Sequence, residues 1–327
     1  MTGSKCITGE RIDGESTSSN DDLSHSVGMD TLPADIYRVV AGFLLPNELQ
    51  NFLHTNKNIH SEYKAYRSIK LNLKYSLLYY RRRSFRKAVL SVISNPRRQL
   101  SLQFFRSSVK DMKSLGKVRS LSLLHCDNVV DVSPLATVHT LEIAHCANVK
   151  DVRSLGRVHS LTLTDCPNIV DISALCSVKS LSLCYCQNIK DIKALKSSYD
   201  LSISCCSKIQ DVSALGGVRK LNLAFCQGIS DVSSLGKVHT LKIAGCSNIK
   251  DVSALGSVIN LTLFLCNKVS NVDSLGRVHS LALSHCREIK RVNKLANVPS
   301  LTLVNCSGVK DISSLRKVRN LKVIGRH

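Results

Sequence analysis

The sequence predicts an α/β solenoid: a parallel sheet built from short repeats, preceded by a small all-helical module. Three observations carry this. From about residue 100 onward a unit of twenty residues recurs, as LSLLHCDNVVDVSPLATVHT at 121–140, LEIAHCANVKDVRSLGRVHS at 141–160 and LTLVNCSGVKDISSLRKVRN at 301–320. A fixed period of this length marks units that bury their apolar faces only against their neighbours. Each unit opens with alternating apolar residues, such as Leu141 and Ile143, the pattern of a strand with one buried face. Twenty residues also leave no room for a full α-helix on the return path, only for a tight turn.

Residues 1–29 are rich in Ser, Gly and acids, without apolar periodicity, and read as a disordered tail. Residues 30–75 switch to helical spacing. Ile36, Val40, Phe43 and Leu44 form one stripe, with Thr31 as N-cap, Pro33 in the first turn and Pro46 as the stop. Asn47 caps a second short helix carrying Leu49, Phe52 and Leu53, and Ile59, Tyr63 and Tyr66 mark a third. Residues 76–99 hold a further amphipathic stretch, Phe85, Val89, Val92 and Ile93, expected to close the open end of the solenoid. The repeats fill 100–327. The first, from Leu100 to Ser120, is expected to carry one residue more than the rest; ten regular units start at Leu121, and LKVIG at 321–325 opens another strand.

Counting a unit from its first Leu, Val149, Val152, Leu155 and Val158 occupy positions 9, 12, 15 and 18 and should point inward. Burying each is worth roughly 1.5–3 kcal/mol, so a unit offsets its ordering entropy only by stacking. Ser at position 13 and Gly at position 16, as in Gly156, are expected to start and stop the outer turn. Position 11 is Asp in eight units; as catalytic groups eight copies make no sense, but as turn residues accepting N–H bonds they do. Position 6 is Cys in ten units. Thiols one strand spacing apart in a line, with no CxxC pair, do not make a zinc cage, so a buried ladder donating to backbone carbonyls is expected. No motif calls for a metal, a cofactor or an enzymatic nucleophile.

The formal charge is +21, with basic rows at positions 10, 17 and 19, and favours acidic partners. Nucleic acid is disfavoured because a base-binding groove needs interleaved aromatics, which make up only 5% of the chain. No apolar run is long enough for a bilayer, and the first thirty residues lack a signal-peptide core. With fourteen cysteines, that points to a reducing, intracellular location, cytoplasm or nucleus. Arg81-Arg82-Arg83 with Arg86-Lys87 reads as an import signal or as a solvated helix start.

Positions 2, 4 and 5 flank the strand outward and vary while the scaffold repeats. Glu142, His145, Asp165, Tyr185, Phe225, Phe264, Leu265 and His285 are therefore candidates for contact with a protein partner, with drift on an exposed face as the other reading. Tyr185, Phe225 and Phe264 are the expected anchors. The unit at 181–200 departs most: Ser198 replaces the inward Val, Lys196 the Gly, and Asp200 precedes the next strand.

The motif LxLxxCxNI resembles the cysteine-containing leucine-rich repeat, and DVSxLGxV resembles the short varieties with a tight outer turn. Residues 32–60, LPADIYRVVAGFLLPNELQNFLHTNKNIH, resemble the F-box. Leu32-Pro33 match its opening, Asp35 its acid, and Ile36, Val40, Phe43 and Leu44 its first helix. Glu48-Leu49, Phe52 and Lys57 match later positions, while Thr55-Asn56 and Ile59 stand where the family has Val-Cys and Trp. The pairing implies a substrate receptor of an SCF-type cullin–RING ubiquitin ligase, monomeric outside its complex. Leu32, Pro33, Ile36, Val40, Phe43, Leu44, Leu49 and Phe52 would dock a Skp-family adaptor that joins the cullin, and the repeats would bind a target protein. The rival reading is a free-standing interaction module without a ubiquitin role.

Overall fold

The computed structural model describes residues 68–93 and 99–325, so the tail and the F-box-like segment, including every expected adaptor-binding residue, lie outside the described residues. The chain enters the sheet through β1 (Ser68–Lys70), then forms two helices, α1 (Leu73–Arg81) and α2 (Arg83–Ile93), and returns as β2 (Gln99–Phe105). From β3 (Ser120–Leu124) and β4 (Thr140–Ala144), strands recur every twenty residues to β13 (Asn320–Ile324). Among the described residues they form one sheet of thirteen strands in sequence order. All pairs are parallel, with like positions opposite: Leu121 faces Leu141 and Leu123 faces Ile143.

The repeat pattern explains the interior. In the unit at 141–160, Leu141, Ile143, Cys146, Val149, Val152, Leu155 and Val158 are all buried, and the same seven positions form columns along the array. Leu155 and Val158 close a five-residue 3-10 turn (Arg153–Arg157), their N–H groups donating to Val152 and Leu155 carbonyls at 2.9 and 3.0 Å. The carboxylate of Asp151 accepts the Arg153 N–H at 2.9 Å, and Asp131, Asp171, Asp191, Asp211, Asp231, Asp251 and Asp311 repeat that bond. The cap is thus the side chain at position 11, not the Ser at 13, which is itself the first helical residue. Position 16 also differs from expectation. Gly156 lies inside the turn and stops nothing; a Cβ there would sit 2.3 Å from the Ala174 carbonyl of the next layer. Glycine lets adjacent turns approach.

The first unit also differs from expectation. Leu102 pairs with Leu121 and Phe104 with Leu123, so this unit starts two residues later and is one residue shorter than the others. Leu100, Leu102 and Phe104 all alternate into the core, and an alternation alone does not fix register. The missing residue falls in the turn after β2, where Ser107 stands beside Cys126 with its hydroxyl 3.4 Å from the thiol.

The cap reaches further upstream than composition suggested, taking in residues 68–75. Ile69 pairs with Leu100. Asn72 caps α1 by accepting the Tyr75 N–H at 3.1 Å. Tyr75, Tyr79, Phe85 and Val89 are buried over the end of the array, and burial pushes the Tyr79 phenol up to about 12. The Tyr80 ring meets Phe104 edge-on at 6.1 Å, and its oxygen accepts N–H bonds from Lys110 and Asp111. Arg83 begins α2, while Arg86 donates to the Tyr79 and Tyr80 carbonyls at 2.9 Å. In the aberrant unit Ser198 is buried and its hydroxyl has no hydrogen-bond partner.

Candidate functional site

Strand alternation puts positions 2 and 4 on the face opposite the core, and the backbone then turns at position 5. There the ladder continues for one more bond: the N–H of Tyr185 donates to Ser204, and that of Phe225 to Ala244. The turn puts position 5 in the left-handed region. His125, His145, Asp165, Tyr185, Cys205, Phe225, Leu265, His285 and Asn305 have φ between 46° and 55°, and Gly245 stands at 61°. That conformation costs a residue with a Cβ about 1–2 kcal/mol, except where a short polar side chain bonds locally. Asp165, Asn305, Gly245 and the histidines suit it; Tyr185, Cys205, Phe225 and Leu265 do not.

These side chains line the strand-exit edge, and several of them touch across units. Phe105 meets His125 edge-on at 5.6 Å, and His125 stacks on His145 at 4.3 Å with planes 2° apart. His145 Nδ1 lies 3.0 Å from Asp165 Oδ2. Tyr185 and Phe225 follow, 40% and 41% exposed, on either side of half-buried Cys205. The Phe225 ring rests on Gly245, where a Cβ would be 2.5 Å from the ring. Phe264 meets His285 edge-on at 5.5 Å, and the His285 Nε2 lies 3.2 Å from the Asn305 amide nitrogen.

Of the residues singled out from the sequence, His145, Asp165, Tyr185 and Phe225 are exposed on this edge, and Leu265 and His285 are half-buried on it. Phe264 stands one residue earlier in its strand, and Glu142 lies on the open face, accepting a hydrogen bond from Ser122 at 2.8 Å. His145 and Asp165 are brought together, as are Phe264 and His285; Tyr185 and Phe225 remain two units apart, about 10 Å at one strand spacing per unit. Sequence reasoning passed over His125 and Asn305. The signal was present, since Gly245, Asn305 and Asp165 at one position are the residues a left-handed turn prefers.

The position-6 thiols are scaffold. Cys146 donates to the Ala144 carbonyl at 3.4 Å and lies 3.6 Å from that of Leu123, and Cys166 and Cys226 repeat the arrangement one and four layers on. Burial pushes the Cys166 and Cys226 thiols up to about 11, away from the reactive thiolate. The thirteen described cysteines are free, and no group of three metal-ligating side chains occurs among the described residues.

This sheet, its buried columns and its tight outer turns are those of a leucine-rich-repeat solenoid. An internalin of Listeria monocytogenes, InlF, has a similar solved structure, with a TM-score of 0.50 and 19% identity over 70% of this chain and 78% of the internalin. Internalin C2 of the same organism aligns at 20% identity over 50% of this chain and 70% of its own, with a TM-score of 0.31. The functional domain of InlJ, again from Listeria monocytogenes and including a cysteine ladder, aligns at 15% identity over 68% of each chain, with a TM-score of 0.34. No protein-family model and no curated protein matches the chain.

Proposed function

We propose that this chain is a protein-interaction solenoid serving as a substrate receptor of an SCF-type ubiquitin ligase. The array holds a target protein along its strand-exit edge, and the F-box-like residues 32–60 dock a Skp-family adaptor and, through it, a cullin. The left-handed row carries the contact surface. Gly245 fits that backbone without strain, so Tyr185, Phe225 and Leu265 stand where glycine would serve folding better. Strain retained at one exposed row is the mark of side chains kept for what they touch. The adaptor role is supported by the Leu32-Pro33 opening and the apolar stripe Ile36, Val40, Phe43 and Leu44. The receptor does no chemistry itself: it supplies proximity, needs no cofactor, and works inside the cell, in cytoplasm or nucleus.

The test is co-purification with the full chain. Skp-family adaptor and cullin should be recovered with the parent and lost with Ile36→Asp or Phe43→Asp, while circular dichroism of the array stays unchanged. Adaptor binding undiminished in both variants overturns the ligase role and leaves a free-standing interaction module.

A further inference from the structure

The opposite edge, where the chain enters each strand, carries a different pattern. Across eleven units, positions 18–20 hold five Lys or Arg and four His against a single acid, Asp200. The repeated aspartates sit on the outer turns, capping them. At position 19 the side chains form a ladder. His139 stacks on His159 at 4.4 Å, and Tyr199 lies between Lys179 and Arg219, whose charged ends are 5.5 and 5.8 Å from its ring. Arg119, His159, Lys179, Tyr199, Arg219, His279 and Arg319 are all exposed. At about 4.8 Å per unit, Arg119 to Arg319 spans roughly 48 Å.

We propose that this edge binds an extended acidic segment of the partner protein, running across the strands. The inference rests on the reading of the array as a protein-contact surface and adds the chemistry of the partner. Charge complementarity selects the sign, since position 19 carries four cations and no acid in any unit. The spacing selects polypeptide over nucleic acid. The constant cations of position 19, Arg119, Lys179, Arg219 and Arg319, are three, two and five units apart, with His, Tyr, Ile or Pro between. Such intervals suit separated carboxylates: in an extended chain, every third residue recurs at about 10 Å, two units of the ladder. Imidazole N–H groups between the cations donate to carboxylates whether or not they are charged. A single-stranded nucleic acid also needs open aromatic faces for its bases. Tyr199 lies between two cations, and His139 and His159 cover each other.

Fluorescence anisotropy with the full chain tests this. The probe is a labelled oligo-glutamate of about fifteen residues, the length that spans the ladder at ~3.3 Å per residue; the comparison is a thymidine oligonucleotide of equal length. The set Arg119→Gln, Lys179→Gln, Arg219→Gln should weaken peptide binding about ten-fold or more at low salt. The set Lys150→Gln, Lys190→Gln, Lys250→Gln removes the same charge from exposed positions that precede the outer turns and should change it less than about two-fold. Equal losses from the two sets, or tighter binding of the oligonucleotide than of the peptide, overturn the proposal. Neither set touches the adaptor module or Tyr185 and Phe225, so adaptor recovery and exit-edge variants judge the proposed function separately.

Discussion

The two edges of this sheet are built on opposite terms. The strand-exit edge varies its side chain from unit to unit and holds Tyr185, Cys205, Phe225 and Leu265 in a backbone conformation they disfavour. The strand-entry edge repeats basic residues at a position that never takes a positive φ, with His139 stacked on His159 and Lys179 and Arg219 set against Tyr199. Individual, strained side chains give discrimination, because each must find its own pocket. Repeated charge gives reach and rate of encounter, because it acts over a Debye length and depends little on register. On the proposed reading, one scaffold separates the task of choosing a partner from that of attracting it.

The two edges should part most sharply at the exit-edge anchors. Tyr185→Ala with Phe225→Ala should lower affinity for a captured target about a hundred-fold or more, as loss of hot-spot aromatics does. That loss should be nearly the same at low and high salt, whereas losses from Arg119, Lys179 and Arg219 should vanish as salt rises. Calorimetry at two ionic strengths decides; a salt-sensitive loss at the exit edge would erase the distinction.

Next in size is the layer that supplies both Tyr185 and Tyr199. Ser198 is buried with an unpartnered hydroxyl where other units bury Val. Ser198→Val should stabilise the array by roughly 1–3 kcal/mol, read as a raised urea midpoint. In the parent, amides at 193–200 should exchange faster than those of flanking units, and uniform exchange would refute a weak layer.

The strain itself gives a smaller, signed effect. Leu265→Gly should be more stable than Leu265→Ala by about 1 kcal/mol, because only alanine keeps the left-handed penalty. Thermal melts of the two variants measure it, and the reverse order would mean the row is unstrained.

Smallest is acid sensitivity. The turn hydrogen bonds hold the Asp131, Asp171, Asp211, Asp231, Asp251 and Asp311 carboxyls below their usual range, and with Arg153 added Asp151 falls to about 2. Depressed carboxyls stabilise the fold above the unfolded value near 4 and lose that contribution as pH falls through the folded value. The urea midpoint should therefore drop from about pH 5 toward pH 2, and less steeply in Asp151→Asn, which keeps an acceptor but not the titration.

Much of the fold was legible because repetition averages out local accidents. Recurrence in eight or more units made Leu141, Val149, Cys146 and Asp151 unmistakable as columns. What escaped lacked that support. β1 is three residues of a sequence that does not repeat. The register of β2 was ambiguous because Leu100, Leu102 and Phe104 offer the same alternation two residues apart. The left-handed turn at position 5 was masked by the residues that defy it, Tyr185 and Phe225, although Gly245 and Asn305 signalled it. The reason for glycine at position 16 lies in a carbonyl of the next layer, which no single unit displays.

The short first unit says how this molecule can change length. Its nineteen residues still deliver Leu102 and Phe104 into register because the deletion falls in the turn beside Cys126, outside the strand. A strand tolerates no such edit, since a one-residue slip turns every buried side chain outward. Twenty-residue cuts keep the register for the same reason: removing 221–240 would bring Leu241 opposite Leu201, a leucine already of the right kind. The chain is therefore a ruler graduated in steps of about 4.8 Å, and the distance it measures can be reset by whole units without redesigning any of them.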